Sequence, residues 1–323
     1  MKYKSILIIG GTGTVGSFLA KHYLQEDTNI VTLFSRNEQK QVLLSKEPWV
    51  NASTNFVIGD LNDFDSLVRT ISKYKPNIII NTAALKHIDV CDKNPVESIK
   101  INILGNINLI KAVREAKVKP EALVFISTDK VCNPTSVYGM CKGISERLYL
   151  DFAKEQTDTL SFVTRFGNIL NSSGSIIPIF KKLILNGVTE LPITNPNMTR
   201  FMITLPEIAK VIDWSIDNSI HGKVVVTSLP AFRLQDLVEI LCETYGKGRN
   251  IRFNVVGERP GEKIDEDLIP RDVWSTNVEA LYYLHGVPDG EIPSYKHFNT
   301  GTQVLSKEKL RIYLKEAGAL EGE

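Results

Sequence analysis

Short apolar runs alternate with amphipathic stretches from the first residues of the chain. Six runs have the length and composition of buried strands, and they cover residues 5–9, 30–34, 55–58, 77–81, 123–127 and 160–166. Apolar runs without a polar face are typical of parallel strands that helices cover on both sides. We therefore expect one parallel sheet within the first half of the chain.

Helical periodicity fills the intervals between these runs. Helix candidates cover residues 15–25, 64–73, 95–116 and 137–156, and Asp, Asn or Ser precedes several of them in a capping position. Alternating strands and helices predict βαβ units, whose right-handed crossovers place helices on both faces of the sheet. The predicted fold class is α/β, a Rossmann doubly wound parallel sheet with a smaller C-terminal α/β lobe that binds substrate.

The composition is that of a globular protein with small-molecule partners. The 323 residues are 43% hydrophobic, and 38 basic residues balance 37 acidic ones to a formal net charge of +1. This balance lacks the basic excess of proteins that bind nucleic acid or an anionic membrane surface. No apolar run approaches the ~20 residues that span a bilayer, and the first strand begins too early for a signal peptide. We therefore expect a cytoplasmic protein.

The cysteines give no sign of a metal site or of catalysis. Cys91, Cys132, Cys141 and Cys242 show no C-x-x-C or other metal-ligand spacing. Disulfides are rare in the cytoplasm. We expect four free thiols that pack within the fold, and no metal.

A glycine-rich turn joins the first strand to the first helix. Its pattern is G-x-x-G-x-x-G, directly after an apolar strand. Glycines permit a tight turn and a close approach of the backbone, and the free N–H groups of a helix amino terminus attract a pyrophosphate. The residues expected to contact a dinucleotide here are Gly10, Thr12, Gly13, Thr14, Val15 and Gly16.

The end of the second strand predicts which dinucleotide binds. Arg36 stands where folds that prefer NAD carry an acidic residue for the ribose 2′-hydroxyl. A guanidinium suits a 2′-phosphate instead, with Ser35 as a hydroxyl donor and Lys40 as a further cation. The predicted cofactor is therefore NADP.

Four further positions belong to the predicted cofactor site. Asp60 and Leu61 follow the third strand and are expected at the adenine. Ala83 and Ala84 follow the fourth strand, where small side chains leave room for the nicotinamide end of the cofactor.

The pattern of elements changes after about Asn168. Residues 172–175, 191–196 and 257–263 are rich in Ser, Gly or Pro and interrupt shorter elements. We predict an NADP-binding domain at residues 1–168 and a substrate-binding lobe at residues 169–199 and 229–323. The apolar run 224–227 predicts that the chain returns to the first domain around residues 200–228.

A cluster of polar residues follows the fifth strand. Ser127, Thr128, Asp129 and Lys130 stand at the carboxyl end of that strand, where ligands bind in open α/β sheets. Tyr138 comes eight residues after Lys130, on the helix that follows. The predicted catalytic residues are Asp129, Lys130, Tyr138 and Lys142.

Tyr138 and Lys142 lie one helical turn apart, so we expect them on the same face of the helix. A cation ~4 Å from a phenol, at an effective dielectric constant near 20, is worth roughly 4 kcal/mol, or about three pKa units. The ammonium of Lys142 is therefore expected to lower the pKa of Tyr138. The phenolate would take a proton from a substrate hydroxyl as hydride leaves the same carbon for a nicotinamide.

Alcohol oxidation alone does not require Asp129 and Lys130. A ketone acidifies the neighbouring C–H bond, so one member of the pair can remove that proton while the other assists the loss of the next hydroxyl. Lys130 must be neutral to act as a base and Asp129 protonated to act as an acid, whereas an adjacent ion pair favours the reverse. Burial can offset this preference, or the pair can share one proton and titrate as a unit. A capping Asp beside a surface Lys is the alternative interpretation.

These residues resemble those of the extended short-chain dehydrogenase/reductase family, and within it the soluble inverting UDP-N-acetylglucosamine 4,6-dehydratases. The resemblance spans nearly the whole chain and rests on residues 10–16, 35–36, 83–87, 127–130, 138–142, 165–168, 198–201 and 259–263. It implies that NADP takes hydride from C4, that water is eliminated across C5 and C6, and that hydride returns to C6. It also implies that C5 is reprotonated from the opposite face, with Asp129 as acid and Lys130 as base.

The resemblance also implies a UDP-sugar site and a homo-oligomer. Arg200 and Arg259 are expected at the diphosphate, while Lys86 and His87 can reach the sugar or, for His87, make a structural hydrogen bond. The full predicted set of substrate-binding residues is Lys86, His87, Thr128, Asn168, Arg200, Arg259 and Glu262. Relatives often have Ser-Arg-Gly-Ser where this chain has Ser-Ser-Gly-Ser at 172–175, so one cationic contact to the diphosphate is absent.

Three other functions are compatible with parts of this pattern. A retaining dehydratase, a dehydratase acting on UDP-glucose, and a nucleotide-sugar 4-epimerase share the fold, although an epimerase has no need of the Asp129–Lys130 pair. A non-catalytic NADP-binding regulator would predict the loss of Tyr138 and Lys142, and both are present.

Overall fold

The computed structural model describes residues 5–270, 275–278, 281–284 and 298–320. The strands are β1 Ser5–Ile9, β2 Ile30–Ser35, β3 Thr54–Ile58, β4 Ile78–Asn81, β5 Ala122–Thr128, β6 Leu160–Phe166, β7 Asn168–Ile169, β8 Glu190–Ile193, β9 Thr199–Ile203, β10 Val224–Thr227, β11 Ala231–Arg233, β12 Arg252–Val255, β13 Asp267–Ile269, β14 Ser275–Val278, β15 Leu281–Leu284 and β16 Phe298–Asn299. The helices are α1 Thr14–Tyr23, α2 Glu38–Leu44, α3 Phe64–Tyr74, α4 Ile88–Lys93, α5 Pro95–Ile99, α6 Gly105–Glu115, α7 Val137–Glu155, α8 Ile176–Leu185, α9 Leu205–Asp217, α10 Leu234–Tyr245 and α11 Lys307–Glu316.

A nine-stranded sheet forms the centre of the described part of the chain. Its strand order is β14-β15-β10-β6-β5-β4-β1-β2-β3, and the seven strands from β10 to β3 in this order pair in parallel. The interior strands are fully buried, as expected when helices cover both faces. The predicted Rossmann doubly wound fold is confirmed.

The predicted strands agree with the observed ones to within one residue at each end. Local capping chemistry also begins the helices. The Asp63 side chain accepts a hydrogen bond from the Ser66 amide at the start of α3, and Ser136 accepts one from Gly139 at the start of α7. These contacts lie between neighbours in the chain, which is why the sequence pattern identifies them.

The helix expected at residues 95–116 is interrupted. A π-helical turn at Lys100–Leu104 separates α5 from α6. The Asn102 carbonyl within this turn accepts a 2.7 Å hydrogen bond from the Asn106 side chain and another from the Ser145 hydroxyl of α7. Side chains therefore take the place of regular helical bonding at this carbonyl, as is common where π-turns occur.

One edge of the sheet differs from the expectation for residues 229–323. Strands β14 and β15 lie within that range, yet they form an antiparallel hairpin that pairs with β10 in the main sheet. A hairpin at this position covers the edge of β10, which would otherwise present unpaired backbone groups. The chain thus returns to the main sheet twice, first at Val224–Thr227 as predicted and again at this hairpin.

A second apolar cluster lies apart from the core around the main sheet. It contains buried side chains of α8, β8, α10 and α11, among them Ile184, Leu191, Leu241 and Leu314. Small sheets accompany it, with β12 parallel to β8 and β9 between β7 and β11. This cluster is compatible with a separate lobe, and the division of the chain into the two predicted domains stays a proposal.

A buried ion pair joins α7 to the sheet. The guanidinium of Arg165 on β6 donates two hydrogen bonds to the Glu146 carboxylate, of 2.7 and 3.1 Å, and a third of 2.8 Å to the Leu268 carbonyl. Burial alone would lower the pKa of Arg165, but Glu146 more than offsets it and the pKa is raised. The pair therefore stays charged and links three separate segments beneath the site.

Replacing Glu146 with Ala is expected to destabilise the protein by ~3–5 kcal/mol, because it leaves the buried Arg165 charge without its partner. Glu155→Ala is the matched control, since Glu155 lies on the same helix and pairs with Arg114 at the surface. We expect the control to lose at most ~1 kcal/mol. Urea unfolding followed by circular dichroism measures both losses, and equal losses would contradict the role given to the buried pair.

Candidate active site

A large cavity opens at the carboxyl ends of the central strands. Its volume is about 1630 Å³. The predicted residues that line it are Thr12, Gly13, Thr14, Val15, Lys40, Ala84, Lys86, His87, Thr128, Lys130, Tyr138, Lys142, Asn168, Arg200, Arg259 and Glu262. The structure thus brings residues of the glycine turn, the fifth strand and the 257–263 loop to one space.

The glycine turn is packed too tightly for side chains. Gly10 has a φ of +79°, and a Cβ there would lie 2.8 Å from the Ala83 amide nitrogen. A Cβ on Gly16 would lie 2.5 Å from the Gly10 carbonyl oxygen. Helix α1 begins directly after this turn without a side-chain cap or an acidic residue in its first turn. Its amino terminus therefore keeps free N–H groups and a partial positive charge for an anion.

Four predicted cofactor residues near the ends of β2 and β3 lie outside the cavity lining: Ser35, Arg36, Asp60 and Leu61. The Arg36 guanidinium is exposed and lies 3.7 Å from the Asp60 carboxylate. Ser35 is buried, and its hydroxyl accepts a 2.9 Å hydrogen bond from Gln41. Leu61 is also buried. It packs against Gly105 of α6, where a Cβ would lie 2.7 Å from the Leu61 side chain. Arg36 is thus open to a ligand, whereas Ser35 and Leu61 face the protein.

Two lysines face the cavity near the glycine turn. Burial lowers the pKa of Lys86, and the nearby charge of Lys40 lowers it further. The Lys86 ammonium donates to the Ser173 carbonyl at 3.1 Å, and the Ser173 amide donates to the Thr14 hydroxyl at 3.2 Å. Two like charges that crowd each other in this way suit an anion bound between them.

The polar cluster after β5 forms a line of alternating charges. The Lys130 ammonium lies 2.9 Å from Oδ1 of Asp129 and 3.6 Å from Oε1 of Glu266. The Lys263 ammonium lies 2.9 Å from Oε2 of Glu266. Burial works against the charge on Lys130, but Asp129 and Glu266 more than offset this and raise its pKa. Lys130 is therefore a charged ammonium at neutral pH in this structure.

Asp129 lies behind the cavity wall and is fully buried. Its Oδ1 accepts hydrogen bonds from Lys130 and from the Thr128 hydroxyl, both of 2.9 Å. Its Oδ2 is buried and has no hydrogen-bond partner within the part of the chain that the structure describes. An unpartnered buried carboxylate oxygen is costly, which is typical of a functional position.

Tyr138 and Lys142 differ from the expectation about their coupling. Burial raises the pKa of Tyr138, and the nearby Asp129 raises it further. The Lys142 ammonium donates to the Ile126 carbonyl and lies 3.9 Å from the centre of the Phe125 ring. Lys142 is thus directed at strand β5, and the predicted lowering of the Tyr138 pKa does not occur in this structure.

Lys142 itself has a strongly shifted pKa. Burial lowers it from 10.5 to about 7, although Glu146 acts in the opposite direction. The close approach of α7 to β5 that buries Lys142 depends on Gly139, where a Cβ would lie 2.2 Å from the Lys130 carbonyl oxygen. Lys142 is therefore a group that gains and loses a proton near neutral pH.

The remaining predicted substrate residues surround the other end of the cavity. The Arg200 guanidinium donates to the carbonyls of Thr199 and Ile264, at 2.7 and 3.0 Å. In the 257–263 loop, the Arg259 amide donates to the Glu262 carboxylate at 3.0 Å. Arg200 is thus held by backbone oxygens, and Glu262 shapes the turn that carries Arg259.

The sequence interpretation missed Glu266 and Lys263 as members of the site. Glu266 is 3% exposed and lies 136 positions from Lys130 in sequence, so no local spacing connects the two. Lys263 lies in residues 259–263, one of the segments on which the family resemblance rests. No other feature of the sequence indicated that Lys263 belongs to the site.

The cysteines and other His, Asp and Glu groups form no candidate metal cluster among the described residues. Cys132 lies in the site region, where burial raises its thiol pKa to about 12. A buried thiol of this kind is a poor nucleophile.

In the described ranges, no helix is both long and apolar enough to cross a membrane.

Comparison with known families decides where this chain belongs. The family described as polysaccharide biosynthesis protein matches residues 6–285, which is most of the chain. The chain belongs to this family. Its fold and motifs also identify it as an extended short-chain dehydrogenase/reductase of the nucleotide-sugar dehydratase and epimerase group.

Several relatives in this family are similar over most of their length. A UDP-N-acetylglucosamine 4,6-dehydratase (inverting) of Campylobacter jejuni is 36% identical over 83% of this chain and 78% of its own. A UDP-glucose 4-epimerase of Rickettsia prowazekii is 31% identical over 98% and 95%. A protein of Methanocaldococcus jannaschii named uncharacterized membrane protein MJ1061 is 34% identical over 99% and 97%.

A solved structure covers the whole fold. The X-ray structure of Pen from Bacillus thuringiensis superimposes with a TM-score of 0.91 and 30% identity, covering 99% of each chain.

Members of this family include both dehydratases and epimerases, so the chain is an enzyme of the nucleotide-sugar dehydratase and epimerase group.

Replacing Lys142 with Met is expected to remove a pH-dependent contribution to stability. Lys142 has a pKa of about 7 when folded against 10.5 ordinarily, so the unfolded chain binds more protons between these values. The wild type should therefore gain stability relative to the variant as pH rises from about 7 towards about 10, by at most ~1.4 kcal/mol per pH unit. Urea unfolding across this range measures the difference.

Lys154→Met is the control for this prediction, because Lys154 lies on the same helix and its side chain is 78% exposed. The stability difference between that variant and the wild type should not change with pH. A constant difference for Lys142→Met as well would contradict the buried, weakly basic amine described above.

Proposed function

We propose that this enzyme is a UDP-N-acetylglucosamine 4,6-dehydratase that inverts C5. Its product would be a UDP-2-acetamido-2,6-dideoxy-L-arabino-hexos-4-ulose. The observation that carries the proposal is the Asp129–Lys130 pair, held 2.9 Å apart at the end of β5 and beside Tyr138. Oxidation at C4 needs only Tyr138 and Lys142, whereas elimination of water needs a further acid and base.

The residues near the glycine turn fit a nicotinamide dinucleotide, and we propose NADP. A Cβ at Gly10 or Gly16 would clash with neighbouring backbone, so both glycines are needed for the turn that would place the amino terminus of α1 at a phosphate. Lys40 would add a further cation, and the exposed Arg36 suits a 2′-phosphate. The bound cofactor supplies a hydride acceptor for C4 and later returns that hydride to C6.

Tyr138 and Lys142 would handle the proton of the C4 hydroxyl. The buried phenol keeps its own proton at neutral pH, since its pKa is raised. Lys142, with a pKa of about 7, is half protonated under the same conditions, and its ammonium, if turned towards Tyr138, would favour the phenolate. Tyr138 then takes the hydroxyl proton as the C4–H bond breaks.

Asp129 and Lys130 would carry out the elimination. The C4 ketone acidifies the C5–H bond, and neutral Lys130 removes that proton. Protonated Asp129 gives its proton to the C6 hydroxyl, which leaves as water. In this structure both members of the pair are charged, with 2.9 Å between the Lys130 ammonium and Asp129 Oδ1. Transfer of one proton from Lys130 to Asp129 would give the neutral amine and the protonated carboxyl that the elimination needs. A solvent-derived proton delivered to C5 from the opposite face would complete the inversion.

The rest of the cavity supports a UDP-sugar as substrate. Arg200 and Arg259 are cations in its lining and would bind the diphosphate, and Lys86 and His87 line it as well and would contact the sugar. Thr128, Asn168 and Glu262 complete this proposed set. A dehydratase relative that acts on UDP-N-acetylglucosamine, as its name states, supports the same substrate class.

A nucleotide-sugar 4-epimerase is the second candidate, because relatives named UDP-glucose 4-epimerase are 31% identical over nearly the whole chain. An epimerase needs the hydride and proton transfers at C4 alone. The buried charges of Asp129, Lys130 and Glu266 would then have no chemical purpose, although they are costly to bury. We therefore favour the dehydratase.

We also propose that the protein is a homo-oligomer. Helices α5 and α7 and the π-turn between α5 and α6 are in contact and expose apolar side chains, which include Val96, Ile99, Leu104, Met140 and Ile144. A second copy of the chain would cover them. Light scattering measures the molecular mass, and a monomer would contradict the proposal.

Incubation with UDP-N-acetylglucosamine and NADP in deuterated water tests the function. We expect proton NMR to show a new C6 methyl signal, deuterium at C5 and couplings of the L-arabino series, without added reductant. A methyl with D-xylo couplings would retain the dehydratase and exclude inversion. A C4 epimer without a methyl would favour the epimerase, and no reaction would exclude both.

Two variants locate the roles within this reaction. Asp129→Asn should still oxidise C4 and accumulate reduced cofactor, because it lacks only the acid for elimination. Tyr138→Phe should form no reduced cofactor, with kcat lower by at least ~10²-fold. The assignment would be contradicted if both variants accumulated reduced cofactor, or if neither variant did.

Replacing Arg36 with Ala tests the cofactor preference. Loss of a charged hydrogen bond to a 2′-phosphate should weaken NADP binding by ~10–100-fold and leave NAD binding almost unchanged. Titration calorimetry with each dinucleotide measures both affinities. Arg69→Ala on the exposed side of α3 is the control and should change neither. Equal losses for NADP and NAD would contradict the preference.

A further inference from the structure

Glu266 is buried beside the catalytic pair although it comes from a distant segment. Its carboxylate is 3% exposed, and Oε1 lies 3.6 Å from the Lys130 ammonium. Asp129 lies on the same ammonium at 2.9 Å. Lys130 is therefore bracketed by two carboxylates, one from its own chain neighbour and one from the start of β13.

The position of Glu266 is held by several contacts. Its amide donates to the Thr300 hydroxyl at 2.8 Å, and the Thr300 amide donates back to the Glu266 carbonyl at 2.9 Å. Its Oε2 lies 2.9 Å from the Lys263 ammonium, which also donates to the Cys132 carbonyl at 2.8 Å. These bonds fix the carboxylate relative to the loop that carries Lys130.

Charges of both signs surround Lys130. Two carboxylates, Asp129 and Glu266, oppose two ammoniums, Lys130 and Lys263, and the Arg200 guanidinium acts on both Lys130 and Glu266. Burial works against the charge of Glu266, but Lys130, Lys263 and Arg200 more than offset it and lower its pKa. Glu266 is thus ionised at neutral pH and stabilises charge on its neighbours.

We propose that Glu266 is a positioning residue that keeps the proton of the Asp129–Lys130 pair on Lys130 in the resting site and holds its ammonium against Asp129. The inference rests on the proposed function, in which Lys130 must lose this proton to act at C5. The proton moves from Nζ of Lys130 to Asp129, so one N–H bond breaks, one O–H bond forms, and nothing else is consumed. Glu266 opposes that transfer and prevents a neutral, reactive amine before substrate binds.

The test is the titration of Lys130 in the wild type and in Glu266→Gln. Lysine labelled with ¹³C at Cε gives an NMR signal that reports its charge, and Lys130→Met identifies the signal. The wild-type signal should stay that of an ammonium to the highest pH at which the protein is folded. In Glu266→Gln the pKa of Lys130 should fall by about 1–3 units, because an opposite charge within ~4 Å is lost.

The matched control is Glu258→Gln, the same change on the same loop. Glu258 is exposed, and its carboxylate accepts a hydrogen bond from Asn195. This variant should leave the Lys130 titration unchanged. An unchanged titration in Glu266→Gln as well, even with a lower melting temperature, would overturn the proposal and leave Glu266 a structural role.

A second variant separates the loss of Glu266 from the release of Lys263. Glu266→Gln combined with Lys263→Met removes one charge of each sign, so the site keeps its net charge and folds without an unpaired ammonium. The lower Lys130 pKa should persist. Recovery of the wild-type titration in the double variant would overturn the proposal, because the effect would then come from Lys263.

Activity gives an independent readout. In Glu266→Gln the pH profile of deuterium incorporation at C5 should move to lower pH by the same amount as the Lys130 titration, with KM unchanged. A raised KM with an unmoved profile would make Glu266 a substrate ligand and overturn the proposal. If the wild type forms no C6 methyl, the proposed function fails, and the lysine titration still decides the role of Glu266.

Discussion

The burial of strand β5 in the middle of the parallel sheet is the constraint on which the site depends. β5 pairs with β4 on one side and β6 on the other, so its carboxyl end is fixed on both flanks. Thr128 is its last residue, and the catalytic pair follows at once. Helix α7 then packs back over the same strand and directs Lys142 at the Ile126 carbonyl. Strand, pair and helix are therefore held together by direct contacts.

Charge beneath and within the site is buried only in partnership. Arg165 and Glu146 form a bidentate pair under α7, and Lys130 is bracketed by Asp129 and Glu266. Moving such charged groups out of water costs free energy, and apolar side chains of similar volume would often give equal or greater stability. The proposed proton transfers would account for the Asp129–Lys130 pair at the carboxyl end of β5.

Different interactions operate at the glycine turn and at the Asp129–Lys130 pair, the two ends of the cavity. At the glycine turn, the absence of side chains and the amino terminus of α1 create space and a positive potential for phosphate. At the pair, close contact between opposite charges sets which group carries a proton. Lys142 also lines the cavity, and burial, partly opposed by Glu146, lowers its pKa to about 7.

The sequence by itself determined the elements and the motifs, because both depend on neighbours in the chain. Apolar runs, the glycine turn and the Tyr138–Lys142 spacing are local patterns, and they predicted the sheet and the parts of the cavity lining that the glycine turn and α7 supply. Tertiary structure alone decided the contact of Glu266 with Lys130, the direction of the Lys142 ammonium, the raised pKa of Tyr138 and the β14–β15 hairpin on the main sheet. Burial and contacts between distant segments set each of these, and no spacing along the chain encodes them.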